Sequence, residues 1–97
     1  MMFDVLKESV INVISEVVRR EMDPFGLRDV HASAGHDHDG DPVIYVDVDY
    51  EAPGPAVDLK VTSRLVTKLR DHLWDIGETR FPHIRHHFSA IQQVIGL

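Results

Sequence analysis

The sequence predicts a single small α+β domain, with the element order α-β-β-α-β and a short C-terminal helix. Two stretches of helical apolar spacing, an alternating hairpin between them and a further alternating stretch near the end carry that prediction. The 97 residues suit one hydrophobic core, near the low end of what folds without staples. A composition of 43% hydrophobic and 27% charged residues is globular and excludes a disordered chain. Residues 1–97 are therefore read as one domain.

Phe3, Leu6, Val10, Val13, Ile14 and Val17 recur at helical spacing, with Glu8, Asn12, Ser15, Glu16 and Arg19 on the other side. This predicts a first helix from Asp4, as N-cap, to Met22, ended by Asp23-Pro24-Phe25-Gly26. The hairpin follows. Ile44, Val46, Val48 and Tyr50 share one face of its second strand, leaving Tyr45, Asp47, Asp49 and Glu51 on the other. A three-residue loop, His38-Asp39-Gly40, sets Val30, Ala32 and Ala34 against Val48, Val46 and Ile44, and puts Gly40 at the left-handed position of a G1 bulge. A two-residue Asp39-Gly40 turn would instead set core residues against acids.

Ala52-Pro53-Gly54-Pro55 breaks the sheet. A second helix then carries the stripe Val61, Leu65, Leu69, Leu73 and Ile76, with Asp58 as N-cap, Gly77 as C-terminal glycine and Trp74 packed at the stripe's edge. From Arg80 to Phe88 the alternation fits a third strand, with Ile84, His86 and Phe88 inward and His83, Arg85 and His87 outward. A short helix opening on the capping box Ser89-x-x-Gln92 would close it. The competing reading is one helix from Pro82 to Ile95. The strand is preferred, because a lone hairpin is a marginal platform for two helices. Both long helices are expected on one face of a small antiparallel or mixed sheet.

The net charge of −6 is unevenly spread. Residues 23–58 hold nine acids against Arg28 alone, whereas residues 59–97 hold six bases and three acids. Either the two parts face each other within the fold, or they meet across a dimer. The negative balance argues against a nucleic-acid binder. With no cysteine, disulfides, thiolate metal sites and cysteine nucleophiles are excluded. The start has neither a basic signal region nor an apolar run long enough for a membrane span, so the expectation is a cytoplasmic chain with no membrane partner.

Three polar clusters are candidate sites. At the hairpin tip, His36, Asp37, His38 and Asp41 are imidazoles and carboxylates suited to a divalent transition metal, and Asp37 and Asp41 stand opposite each other. The plainer reading is a solvated turn, which requires Asp and Gly in any case. The second cluster is the outward sheet face: Asp29, His31, Tyr45, Asp47 and Asp49, with His31 opposite Asp47. The third is His83, His86 and His87, of which His83 and His87 could share one metal if the segment were helical; on a strand those two lie about 13 Å apart and line up with the acidic face instead. No cofactor is expected. Nucleophile elbow, phosphate loop, dinucleotide fingerprint and zincin motif are all lacking, so no enzyme is expected.

The element order is similar to that of KH-like RNA-binding domains, the ribosome-binding-factor family and the cytoplasmic dimerisation domain of cation-diffusion transporters. Arg20-Glu21-Met22-Asp23-Pro24 resembles the ribosome-binding-factor family over those five residues. There is no G-x-x-G loop, and no residue role is carried over. The leading expectation is a non-catalytic acidic interaction module, binding itself as a salt-sensitive homodimer or a protein partner with a basic surface. A metal-binding protein using the hairpin and a KH-like RNA-associated module are the alternatives.

Overall fold

A computed structural model describes residues 5–51 and 57–88. Helix α1 (Glu8–Met22) leads through one 3₁₀ turn (Asp23–Phe25) into strands β1 (Leu27–His36) and β2 (Pro42–Tyr50), then helix α2 (Leu59–Asp75) and strand β3 (Phe81–Phe88). The sheet order is β1-β2-β3, antiparallel between β1 and β2 and parallel between β2 and β3. The sheet is thus mixed, and β2 is its centre. Among the described residues no helix is long and apolar enough to cross a membrane.

One core joins these elements. Val10, Ile14, Val17, Val18 and Met22 of α1 meet Leu65, Leu69 and Leu73 of α2 above Ile44, Val46, Val48 and Tyr50 of β2. The four β2 residues alternate along the strand and so lie on one face, which places both helices on that side. Val30, Ala32, Ala34, Ile84 and Phe88 flank the core from the outer strands.

The hairpin has the predicted register: Val30, Ala32 and Ala34 stand opposite Val48, Val46 and Ile44. Gly40, at φ 87, donates its N–H to the Asp37 carbonyl at 2.9 Å, which closes the three-residue loop. Helix α2 starts where Asp58 accepts a hydrogen bond from the Val61 N–H at 2.9 Å. It ends in a Schellman motif: Gly77 lies at φ 83, its N–H bonded to the Trp74 carbonyl and the Glu78 N–H to that of Leu73.

Two expectations change. Helix α1 begins at Glu8, with Lys7 in extended geometry at the cap position and no side-chain cap bond; Asp4 lies outside the described residues. This approach lets Leu6 reach the core while Val5 stays exposed. Trp74 is 65% exposed and Ile76 45%. Trp74 sits about 100° round the helix from the buried Leu73, and Ile76 is the C-cap, where the helix has already unwound. The preferred third strand is present as β3 over Phe81–Phe88, and the competing helix from Pro82 falls away over those residues. In the sheet β2 has a neighbour on each side, and the edges are β1 and β3. The Ser89 capping box and the Ala52–Pro55 break lie outside the described residues.

Candidate functional site

Alternation places Asp29, His31, Ser33 and Gly35 of β1, Val43, Tyr45, Asp47 and Asp49 of β2, and Phe81, His83, Arg85 and His87 of β3 on the face away from the helices. The register sets them in rows, including Ser33–Tyr45–His83, His31–Asp47–Arg85 and Asp29–Asp49–His87. Asp47 is the hub. The Arg85 guanidinium grips it with two hydrogen bonds, Nε to Oδ1 at 2.8 Å and Nη2 to Oδ2 at 2.9 Å. His87 Nε2 lies 2.9 Å from Oδ1. The Arg85 hydrogen bonds, with His87 after them, hold the Asp47 carboxyl below its usual 3.8. A depressed carboxylate adds stability that is present above its ordinary pKa and lost as pH falls through the lowered value.

Arg85 also lies over the Tyr45 ring, 4.5 Å from its centroid. That ring covers Gly35, where a Cβ would come within 2.6 Å of Tyr45 Cε2. The Tyr45 hydroxyl donates to the His36 carbonyl at 2.8 Å. His31 is opposite Asp47 in register, but its ionic contact is with Asp29, Nε2 to Oδ2 at 3.1 Å. Arg19 of α1 reaches the same carboxylate at 3.7 Å. Asp29 and Asp49 stand directly opposite each other. Asp49 has no ion pair or side-chain hydrogen bond among the described residues.

The hairpin tip behaves differently. Asp37 Oδ1 accepts from the N–H groups of Asp39 at 2.9 Å and Asp41 at 3.0 Å, and the Asp41 bond is the main cause of a lowered Asp37 pKa. Its carboxylate thus turns onto its own loop. His38 approaches Asp39 at 3.8 Å, both highly exposed. Among the described residues no three His, Asp or Glu side chains converge to hold a metal ion. The candidate set His36, Asp37, His38 and Asp41 is not brought together. His83 and His87 lie on β3, four residues apart along a strand, too far to share one ion.

Two features escaped the sequence reading. Tyr50 Oη lies 2.7 Å from His86 Nδ1 on the core face, and Tyr50 stacks on Phe88 at 4.6 Å. Burial pushes the Tyr50 phenol up to about 12 and pulls His86 below 6.5. A neutral phenol therefore faces a neutral imidazole. Their inward alternation was legible, but their mutual contact depends on strand order. The second is a cleft of about 50 Å³ lined by Arg70, Trp74, Glu78, Arg80 and Phe81. Glu78 grips Arg80 there at 2.8 and 2.9 Å. The space suits one or two water molecules and is far below that of a substrate pocket. Its sequence signal is Trp74 standing off the α2 stripe.

No protein-family model and no curated protein matches the chain. Among solved structures, the chain is similar to that of CzrB in its zinc form. The TM-score is 0.43 and the identity 12%, over 90% of this chain and 91% of that one. At that level no residue role passes from it to this chain.

Proposed function

We propose that this chain is a non-catalytic interaction module of the cytoplasm, which associates with itself or with a protein partner carrying a basic surface. The observation that supports the reading is Asp49: a carboxylate on the sheet face away from the helices, directly opposite Asp29. Like charges set opposite across a strand pair repel. Asp29 is drawn to Arg19 and His31, whereas Asp49 has no ion pair among the described residues. A lysine or arginine of a partner laid across this face would sit between the two carboxylates and relieve the repulsion. The neutralised Asp47–Arg85 pair beside them offers a planar stacked surface on Tyr45. Complementarity of this kind sets specificity and association rate more than raw affinity.

Titration of the isotope-labelled chain with a short peptide rich in lysine and arginine tests the reading. Amide shifts are expected at Asp29, His31, Asp49 and His87, fading as salt is raised. Asp49→Asn should weaken the binding. A peptide that shifts no amide on this face at low salt defeats the basic-partner reading.

A further inference from the structure

The two edges of the sheet differ. Strand β3 carries Pro82, which has no N–H to offer. Strand β1 contains neither Pro nor Lys in its ten residues, so nothing of that kind blunts it. The Asp37 N–H bonds the Asp41 carbonyl at 3.0 Å, and this fixes which way each β1 residue turns its main chain. In an antiparallel ladder these groups alternate between facing the partner and facing away. Asp29, His31, Ser33 and Gly35 therefore bond β2, while Val30, Ala32, Ala34 and His36 turn theirs outward.

The outward groups are not equally available. The Val30 N–H is taken by Asp29 Oδ1 at 2.8 Å. The His36 carbonyl is taken by the Tyr45 hydroxyl at 2.8 Å. Between these two closed positions, Ala32 and Ala34 present their N–H and C=O to the outside, and Ser33 lies midway.

We propose, building on the self-association reading above, that this edge pairs with the same edge of a second copy about a twofold axis at Ser33. Ala32 then pairs with the Ala34 of the second copy and Ala34 with its Ala32. That makes four main-chain hydrogen bonds between groups the monomer leaves open. In the same register Val30 falls opposite the His36 of the other copy, where the N–H and C=O that would meet are the two already closed. A twofold at Ala32 would need the Val30 N–H, and one at Ala34 would set Ala32 against the closed His36 carbonyl. The side chains agree with the Ser33 axis. Alanine meets alanine on the core face, and on the outer face serine meets serine and His31 meets Gly35; at the ends of the contact Asp29 falls opposite the Asp37 of the other copy, whose carboxylate is bonded to its own loop. The 3-stranded sheets join into one of twice the width, with the helices of both copies on one side. Such a contact is isologous and small, of the weak and transient class. Its bonds join neutral groups, so salt should not loosen it.

The chain has no native cysteine, so Ser33→Cys reports on this axis alone. At a non-hydrogen-bonded antiparallel pair the two Cα atoms lie about 4.5 Å apart, within disulfide range. Mild oxidation should link Ser33→Cys chains at least about tenfold faster than chains carrying Ser9→Cys on exposed α1, because pairing raises the local thiol concentration. In the wild type, hydrogen exchange at the Ala32 and Ala34 amides should slow as protein concentration rises, with Val30 unchanged. Ala34→Pro removes one outward N–H and leaves the β2 ladder intact, so it should melt like the wild type and lose this protection. Equal linking rates for the two cysteine variants overturn the proposal. A dimer whose Ala32 and Ala34 amides still exchange fast overturns the edge and leaves self-association standing. A monomer at every concentration removes both and leaves only the basic-partner reading.

Discussion

His86 and His87 are neighbours in sequence, yet the pleat of β3 sends them to opposite sides of the sheet and into different chemistry. His86 is half-buried against Tyr50 and resists protonation. His87 faces Asp47 and solvent. The same division separates the two tyrosines of β2. Tyr50 is 1% exposed and part of the core, while Tyr45 lies on the open face between Arg85 and Gly35. On the helix side, burial decides what a polar group does; on the other side, pairing across strands decides it. Residue type alone predicts neither.

The largest effect expected from testing this contrast is in the core. Tyr50→Ala should cost about 3–5 kcal/mol, as for other buried aromatics, whereas Tyr45→Ala should cost under about 2 kcal/mol. Urea denaturation of the two variants compares the faces directly, and equal losses would erase the distinction.

A smaller effect is expected at the loop that keeps the faces apart, since a one-residue slip of register would exchange them. Gly40→Val should destabilise by more than about 1 kcal/mol, because a β-branched residue is strained at positive φ. There is open space around Gly40, so the loss would be conformational. Unchanged melting would contradict that account.

The smallest effect concerns pH. His86 has its folded pKa pulled below the ordinary 6.5 by burial first and by nearby His87 second. The unfolded chain therefore binds its proton more readily, and the stability His86 contributes is complete above pH 6.5 and lost as pH falls below it. Chemical denaturation stepped downward from neutral pH should show this decline. An imidazole titration by NMR should place the His86 midpoint below 6.5, and a midpoint above that value would remove the cause.

Much of the fold was legible because it rests on local rules. Alternation from Ile44 to Tyr50 assigned the faces of β2, the rejection of Asp39-Gly40 as a two-residue turn set the register, and Asp58 and Gly77 marked the bounds of α2. Strand order was not legible. Whether β2 lies at an edge or in the centre depends on where the α2 crossover returns the chain, and alternation within a strand carries no information on that. The candidate sites divide in the same way. His36 to Asp41 drew attention because its residues are consecutive, yet Asp37 binds its own turn. Asp47, Arg85 and His87 are far apart in sequence. Their shared face was foreseen, but the two-pronged grip of Arg85 required β3 to lie beside β2. The exposure of Trp74 was legible too, since helical spacing turns it about 100° away from Leu73, yet its size pointed to the core.

The contact between Tyr45 and Gly35 also bears on how this sequence can change over time. A methyl group at position 35 would fall within the radius of the ring, and that ring is held by the His36 carbonyl at one end and by Arg85 on its face. Position 35 is therefore restricted to glycine for as long as position 45 is a large aromatic. A smaller residue at 45 lifts the restriction but uncovers the glycine, the weakest strand former in the hairpin. The two positions are epistatic: each substitution is costly alone and tolerable after the other. Among descendants of this chain they should drift as a pair, with alanine or serine at 35 appearing where 45 has lost its ring.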